Sequence, residues 1–213
     1  MIDGTVDNGS RYLVLAPVRG LLGEVAPLLA RLDAFAPDAI AVGLSPDEAR
    51  SLKEHFVGRS CEPLVPLAPT EVAELRALAR FGDVAVPNPT YPAVLAWGAA
   101  RGVPVAAVDP SDDAYAMMFT DHIGYTELVR RTLRERKLTR SPPDAGSADE
   151  FALTWGRTLA KTRGSARLAA ARDAVLAEGA RALGAQYRRI AVVVERERFP
   201  SVVAALEGGG PAR

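Results

Sequence analysis

Residues 37–48 read PDAIAVGLSPDE, and the parsing of that stretch decides the fold. Pro37-Asp38 is a turn pair. Ala39 to Leu44 (AIAVGL) is a short apolar run bounded by turn residues, the mark of a strand. Ser45-Pro46-Asp47-Glu48 is a capping box, in which the serine hydroxyl meets the amide three residues on and the glutamate reaches back. Proline at the first helical position presets the backbone, so a helix is expected from Pro46 to about Phe56. Strand, cap and helix in direct succession build parallel sheets.

The same unit recurs outward in both directions. Arg11 to Pro17 (RYLVLAP) predicts a buried strand, and Leu21, Leu22, Val25, Leu28, Leu29, Leu32 and Phe35 recur at helical spacing over 20–35. Val103 to Val108 (VPVAAV) predicts a third strand, with Pro104 placing its start at an edge or in a loop. Ile190 to Val194 (IAVVV) predicts the last strand, and a closing helix follows over Pro200 to Leu206. Helices are expected over 70–81, 92–101, 114–137, 148–162 and 166–185, and Val84-Ala85-Val86 is a candidate short strand. Pro63, Pro66 and Pro69 forbid one regular element across 58–69. The fold class expected is α/β: a mostly parallel central sheet flanked by helices, with an inserted helical section at about 114–185. Residues 11–207 form one domain in this reading, between a flexible N-terminus (1–10) and a disordered tail (208–213).

Composition narrows the chemistry. The 213 residues carry 26 basic and 26 acidic side chains, and a chain neutral in sum is no general nucleic-acid binder. One cysteine, Cys61, rules out a disulfide framework and a multi-thiolate zinc site. Two histidines, His55 and His122, rule out a three-histidine metal site. No apolar run approaches a membrane span, and the polar stretch Met1–Arg11 has no apolar signal core, so a soluble cytoplasmic protein is expected. Charge is uneven: residues 130–172 hold 11 basic and 4 acidic groups. Arg130, Arg131, Arg134, Arg136, Lys137 and Arg140 form a basic helix end that invites phosphates, but Phe151 and Trp155 are too few aromatics for single-strand stacking. A solvated helical surface is the favoured reading.

In parallel sheets ligands bind beyond the carboxyl ends of the strands, which directs attention to four places. These are Pro17-Val18-Arg19-Gly20, Gly43-Leu44-Ser45, Asp109-Pro110-Ser111-Asp112-Asp113 and Glu195-Arg196-Glu197-Arg198. Carboxylates beside arginines suit acid–base work or a cation; Asp112 and Asp113 read more simply as helix caps. His122, beside Asp121, is expected near a helix start as a candidate base, with an ordinary capping-region histidine as the simpler reading. The chain has no GxGxxG after a strand, no Walker motif, no GxSxG and no HExxH.

Four segments carry a resemblance. They are Ala36-Pro37-Asp38-Ala39-Ile40-Ala41-Val42-Gly43-Leu44 with Arg50 beyond it; Ala99 to Asp109; Ala171-Arg172-Asp173-Ala174-Val175-Leu176-Ala177 continuing to Leu183; and Val193 to Pro200. In order and spacing the chain resembles, over roughly residues 10–207, the TraB family of the TraB/GumN/Tiki superfamily. The segments look like that family's RPDAVAVEL run with its following arginine, its strand closing on aspartate, its ERDxxMAxxL helix and its final VGAGHVPG. The resemblance implies an α/β fold with a helical insertion and a metal-dependent hydrolase built on two Gly-x-x-His motifs and a glutamate. This sequence departs at each of those places. The first motif is replaced around Leu15-Ala16-Pro17-Val18, the glutamate by Gly43, and the last histidine by Arg198. A guanidinium stays protonated and cannot ligate a metal.

The expectation is therefore a TraB-like domain without the family's metal chemistry, acting as a binding or regulatory protein with neither metal nor cofactor. Two alternatives stand beside it. One is a hydrolase with a rebuilt site, in which Asp109 with Glu195 or Glu197 supplies carboxylates. The other is an anionic-ligand or nucleic-acid binder through 130–172. An anion or peptide cleft is expected at one rim of the sheet, with Arg50 and Arg198 as main contacts and Arg172 and Arg19 beside them, Asp109 and Glu195 holding the arginines. The simpler alternative pairs Arg50 with Glu54 on its own helix. Homo-oligomerisation is left open.

Overall fold

A computed structural model describes residues 1–56 and 67–208 of the chain. Its centre is a five-stranded sheet of order β1-β2-β5-β3-β4, made of β1 (Ile2–Asn8), β2 (Ser10–Ala16), β3 (Ala39–Val42), β4 (Val105–Ala107) and β5 (Arg189–Val193). β2, β5, β3 and β4 run parallel, and β1 pairs antiparallel with β2. Four strands stand where the sequence puts them. The α/β class follows, with nine α-helices among the described residues packed around the sheet.

β1 corrects the expectation of a flexible N-terminus. Asn8-Gly9 forms a hairpin turn with Gly9 at φ +73°, and Ile2–Asn8 folds back along β2 as an edge strand. Its alternation is the reason it reads as polar: Val6 is buried, while Asp3, Thr5 and Asp7 are not.

The helices are α1 (Val25–Phe35), α2 (Pro46–Phe56), α3 (Pro69–Leu78), α4 (Thr90–Arg101), α5 (Asp112–His122), α6 (Tyr125–Arg140), α7 (Ala148–Leu159), α8 (Arg163–Gly184) and α9 (Phe199–Glu207). The capping box at Ser45 forms as the sequence implies, with Glu48 N–H donating to Ser45 Oγ at 3.0 Å and Ser45 N–H to Glu48 at 2.9 Å. At Ser147 only the serine half forms, Glu150 N–H donating to Ser147 Oγ at 3.2 Å, while the Glu150 carboxylate accepts from Gly146 N–H instead. The single helix expected over 114–137 is two, broken at Ile123-Gly124, because glycine is a poor helix interior and here serves as the cap of α6. His122 ends α5 instead of beginning a helix. Val84 makes one bridge to Leu21 and no strand of its own. Residues 57–66, with Cys61, Pro63 and Pro66, and residues 209–213 lie outside the described residues.

Strand periodicity sorts the core into two layers. Leu13, Leu15, Ile40, Val42, Ala191 and Val193 pack against α1, α2 and α4 on one face. Tyr12, Val14, Ala16, Ala41, Val192 and Val194 pack against α8 and α9 on the other. A third cluster, with Val18, Leu78, Phe151 and Trp155, ties α3, α6 and α7 together beyond the carboxyl ends of β2 and β5. That cluster puts three helices where ligands bind in such sheets. No helix among the described residues is long and apolar enough to cross a membrane.

Candidate functional site: a cleft at the strand ends

Each loop leaving a parallel strand contributes to one cleft of about 680 Å³. Arg19 follows β2, Ser45 follows β3, Asp109 follows β4, and Glu195, Glu197 and Arg198 follow β5. Helices α3, α7 and α8 close its sides, placing Glu71 and Glu74, Trp155 and Gly156, and Arg172 and Asp173. The volume suits a small organic molecule.

One wall is a clamp of charges. Arg198 donates from Nη1 and Nη2 to both oxygens of Asp109, at 3.0 and 2.9 Å, and from Nε to Asp173 at 2.7 Å. Arg172 reaches the same Asp109 oxygen as Arg198 Nη1, its Nε at 2.8 Å. Ser201 donates to Asp173. Burial alone would lower the Arg198 pKa, but Asp109 and Asp173 outweigh it and push the group up. Asp109 is 5% exposed and Arg198 7%, so both charges are removed from water and depend on one another.

The clamp lies beside the end of β3. A Cβ built on Gly43 would lie 3.5 Å from Arg198 Nη1 and 3.4 Å from the Tyr91 hydroxyl. Gly43 and Arg198 are thus neighbours at the strand ends. Arg196 N–H donates to Pro17 O at 3.1 Å, which brings the segment after β2 to the same rim. These residues do not fit a metal: one is a permanent cation, one has no side chain, and both Asp109 oxygens are occupied by guanidiniums. Among the described residues no group of three or more His, Cys, Asp or Glu is arranged to hold an ion. Comparison with known proteins matches the chain to no family model and to no curated protein.

The opposite wall is carboxylic. The Glu71 side chain accepts from Arg19 Nη2 and, at 2.9 Å, from the Ala68 N–H. Glu74, one turn on, is 6% exposed. Burial pushes its pKa up to about 7, with Glu195 and Glu71 adding and Arg19 opposing. Glu197 is pushed up in the same way, by burial first and then by Glu195 and Glu74. Burial would lower Arg19, and Glu195, Glu71 and Glu74 together raise it instead.

Five of the six candidate residues, Arg19, Asp109, Arg172, Glu195 and Arg198, therefore line one cleft. Arg50 does not. It is exposed on the outer side of α2 and pairs with Asp47 at 3.4 Å, one turn back, and not with Glu54. The sign of the cleft also differs from the anion-binding expectation: eight carboxylic side chains line it against five arginines, and the arginines expected to greet an anion already hold carboxylates. His122 does not line it. The basic stretch 130–172 is divided: Arg131 pairs with Glu135 at 2.8 Å, Arg172 is in the clamp, and Arg130, Arg136, Lys137 and Arg140 face solvent on α6. Sequence reasoning missed Glu71 and Glu74. Their i,i+3 spacing on a short helix was the available signal, and nothing in it tied α3 to the strand ends.

Proposed function

We propose that this chain is a TraB-like domain that binds a small organic ligand in the strand-end cleft and has lost metal-dependent hydrolysis. The supporting observation is the buried Arg198 held between Asp109 and Asp173, in contact range of Gly43. A guanidinium there supplies neither Lewis acidity nor an activated water, and it keeps both Asp109 oxygens from acting as a base. The clamp closes the floor of the cleft and leaves its volume for binding. The rebuilt-hydrolase reading needs Asp109 free to move a proton, and the hydrogen bonds of Asp109 argue against it.

Ala169 lines the cleft and is exposed, so Ala169→Trp fills the space without entering the core. Thermal-shift titrations of the parent and this variant with small cations, anions and neutral compounds test the binding function. At least one compound is expected to stabilise the parent and not the variant; none doing so overturns it. Equilibrium dialysis against zinc, manganese and cobalt, followed by peptide hydrolysis assays, tests the lost chemistry. Stoichiometric metal with turnover would overturn that part.

A further inference from the structure

We propose that the glutamate-lined end of the cleft is a subsite for an organic cation bearing a primary ammonium, its aliphatic stem laid along Leu159, Leu168 and Ala169. The inference rests on the cleft being a ligand site and names the class of ligand. Glu74 carries it. This side chain lines the cleft, is 6% exposed, and makes no hydrogen bond and no ion pair within 4 Å among the described residues. Buried polar groups are nearly always paired, because an unpaired one forfeits its hydration. The Glu74 carboxyl opens onto the cleft, and whatever enters the cleft is its available partner.

The surroundings set the partner's charge. Glu71 faces Glu74 from its own helix, Glu195 and Glu197 from beyond β5, and Arg19 from beyond β2. Arg131 of α6, already on Glu135, and Arg157 of α7, bonded to its own helix, line the same cleft. Four carboxyl groups thus meet one guanidinium, which is engaged by Glu71. The surplus is negative; burial first, and the neighbouring carboxylates after it, raise Glu74 and Glu197 and favour their protonated forms. A ligand cation competes with those protons. A metal ion is a poor fit, because these carboxyl groups form no ion-holding group. An ammonium donates three N–H bonds in divergent directions, as carboxyl groups on separate elements require. Leu159, Leu168 and Ala169 supply apolar contact for a carbon chain in a volume of about 680 Å³.

The probe is 1,4-diaminobutane, with butane-1,4-diol as its uncharged counterpart, titrated calorimetrically at pH 6 and pH 8 in two buffers of different ionisation enthalpy. The diamine is expected to bind and the diol at least about tenfold more weakly. Displacing one proton from a group near pH 7 makes diamine affinity rise about tenfold between pH 6 and pH 8, with proton release. Glu74→Gln is expected to lose about tenfold at pH 8 and to flatten the pH dependence, and Glu197→Gln to weaken binding in the same direction. Equal binding of diol and diamine, or diamine affinity unchanged in both variants, overturns the subsite, as does no diamine binding at pH 8. If that failure accompanies cleft-dependent binding of an anion or neutral compound, the binding function stands without the ammonium; if no compound of any charge needs the cleft, both fall.

Discussion

Asp109 holds two guanidiniums on one carboxylate in a place closed to water, so its removal is felt as a buried charge left behind. Asp109→Asn keeps the shape and deletes the charge. Breaking one side of a buried ion pair costs about 3–5 kcal/mol, a large part of the stability of a domain this size. A fall in melting temperature of about 10 °C is expected, read by calorimetry. Arg50 gives the opposite case. It is exposed and paired only to a neighbour on its own helix, so Arg50→Ala is expected to change stability by less than about 0.5 kcal/mol and to leave ligand binding in the cleft untouched. A loss of binding in Arg50→Ala would contradict the cleft's placement. Both are charged side chains that follow a strand, Asp109 directly and Arg50 within the next helix. Exposure separates them, and exposure depends on which helix covers the loop.

At the scale of elements, the contact between α7 and the turn after β5 decides where the acidic wall stands. Gly156 is in the interior of α7, and a Cβ there would fall 2.4 Å from the Glu197 Cβ. Helix propensity favours Gly156→Ala by about 1 kcal/mol, while overpacking costs about 1–3 kcal/mol. The clash wins, because its partner is a side chain stem beside backbone and not a flexible end. Gly156→Ala is expected to lower the urea midpoint and to displace Glu197; a stabilised variant would show that α7 yields freely. The strands and capped helices around this contact were legible: AIAVGL with its capping box and IAVVV are local patterns, and local patterns survive folding. The edge strand Ile2–Asn8 was not, because an edge strand needs only one buried face and Val6 is a thin signal. The break at Gly124 and the docking of α3 over the strand ends were hidden for different reasons, one a single residue within a helical period, the other a long-range packing event.

For the whole molecule, two sets of carboxyl groups respond to pH in opposite senses. Asp38, hydrogen-bonded by Arg189, and Glu127, bonded by the Gly164 amide, are held below the usual carboxylate range. Their contribution is present above the unfolded value and is lost as pH falls through the folded one, so it weakens the protein only in strong acid. Glu74 works the other way. Its folded pKa of about 7 lies above its ordinary value of 4.5, so below 4.5 it is neutral in both states. As pH rises from 4.5 to 7 the unfolded chain ionises while the folded one keeps its proton, and stability falls by up to about 3 kcal/mol, a deficit that then stays constant. Glu197 shifts in the same direction. Maximum stability is therefore expected on the acid side of neutrality, near pH 5. The test compares urea unfolding of the parent and Glu74→Gln at pH 5 and pH 8, since their difference cancels groups common to both. The variant is expected to match the parent at pH 5 and to exceed it by about 1–3 kcal/mol at pH 8, because an amide needs no proton to stay neutral when buried. A variant weaker than the parent at pH 8 would mean that the Glu74 carboxylate stabilises the fold, contrary to a carboxyl group raised mainly by its burial.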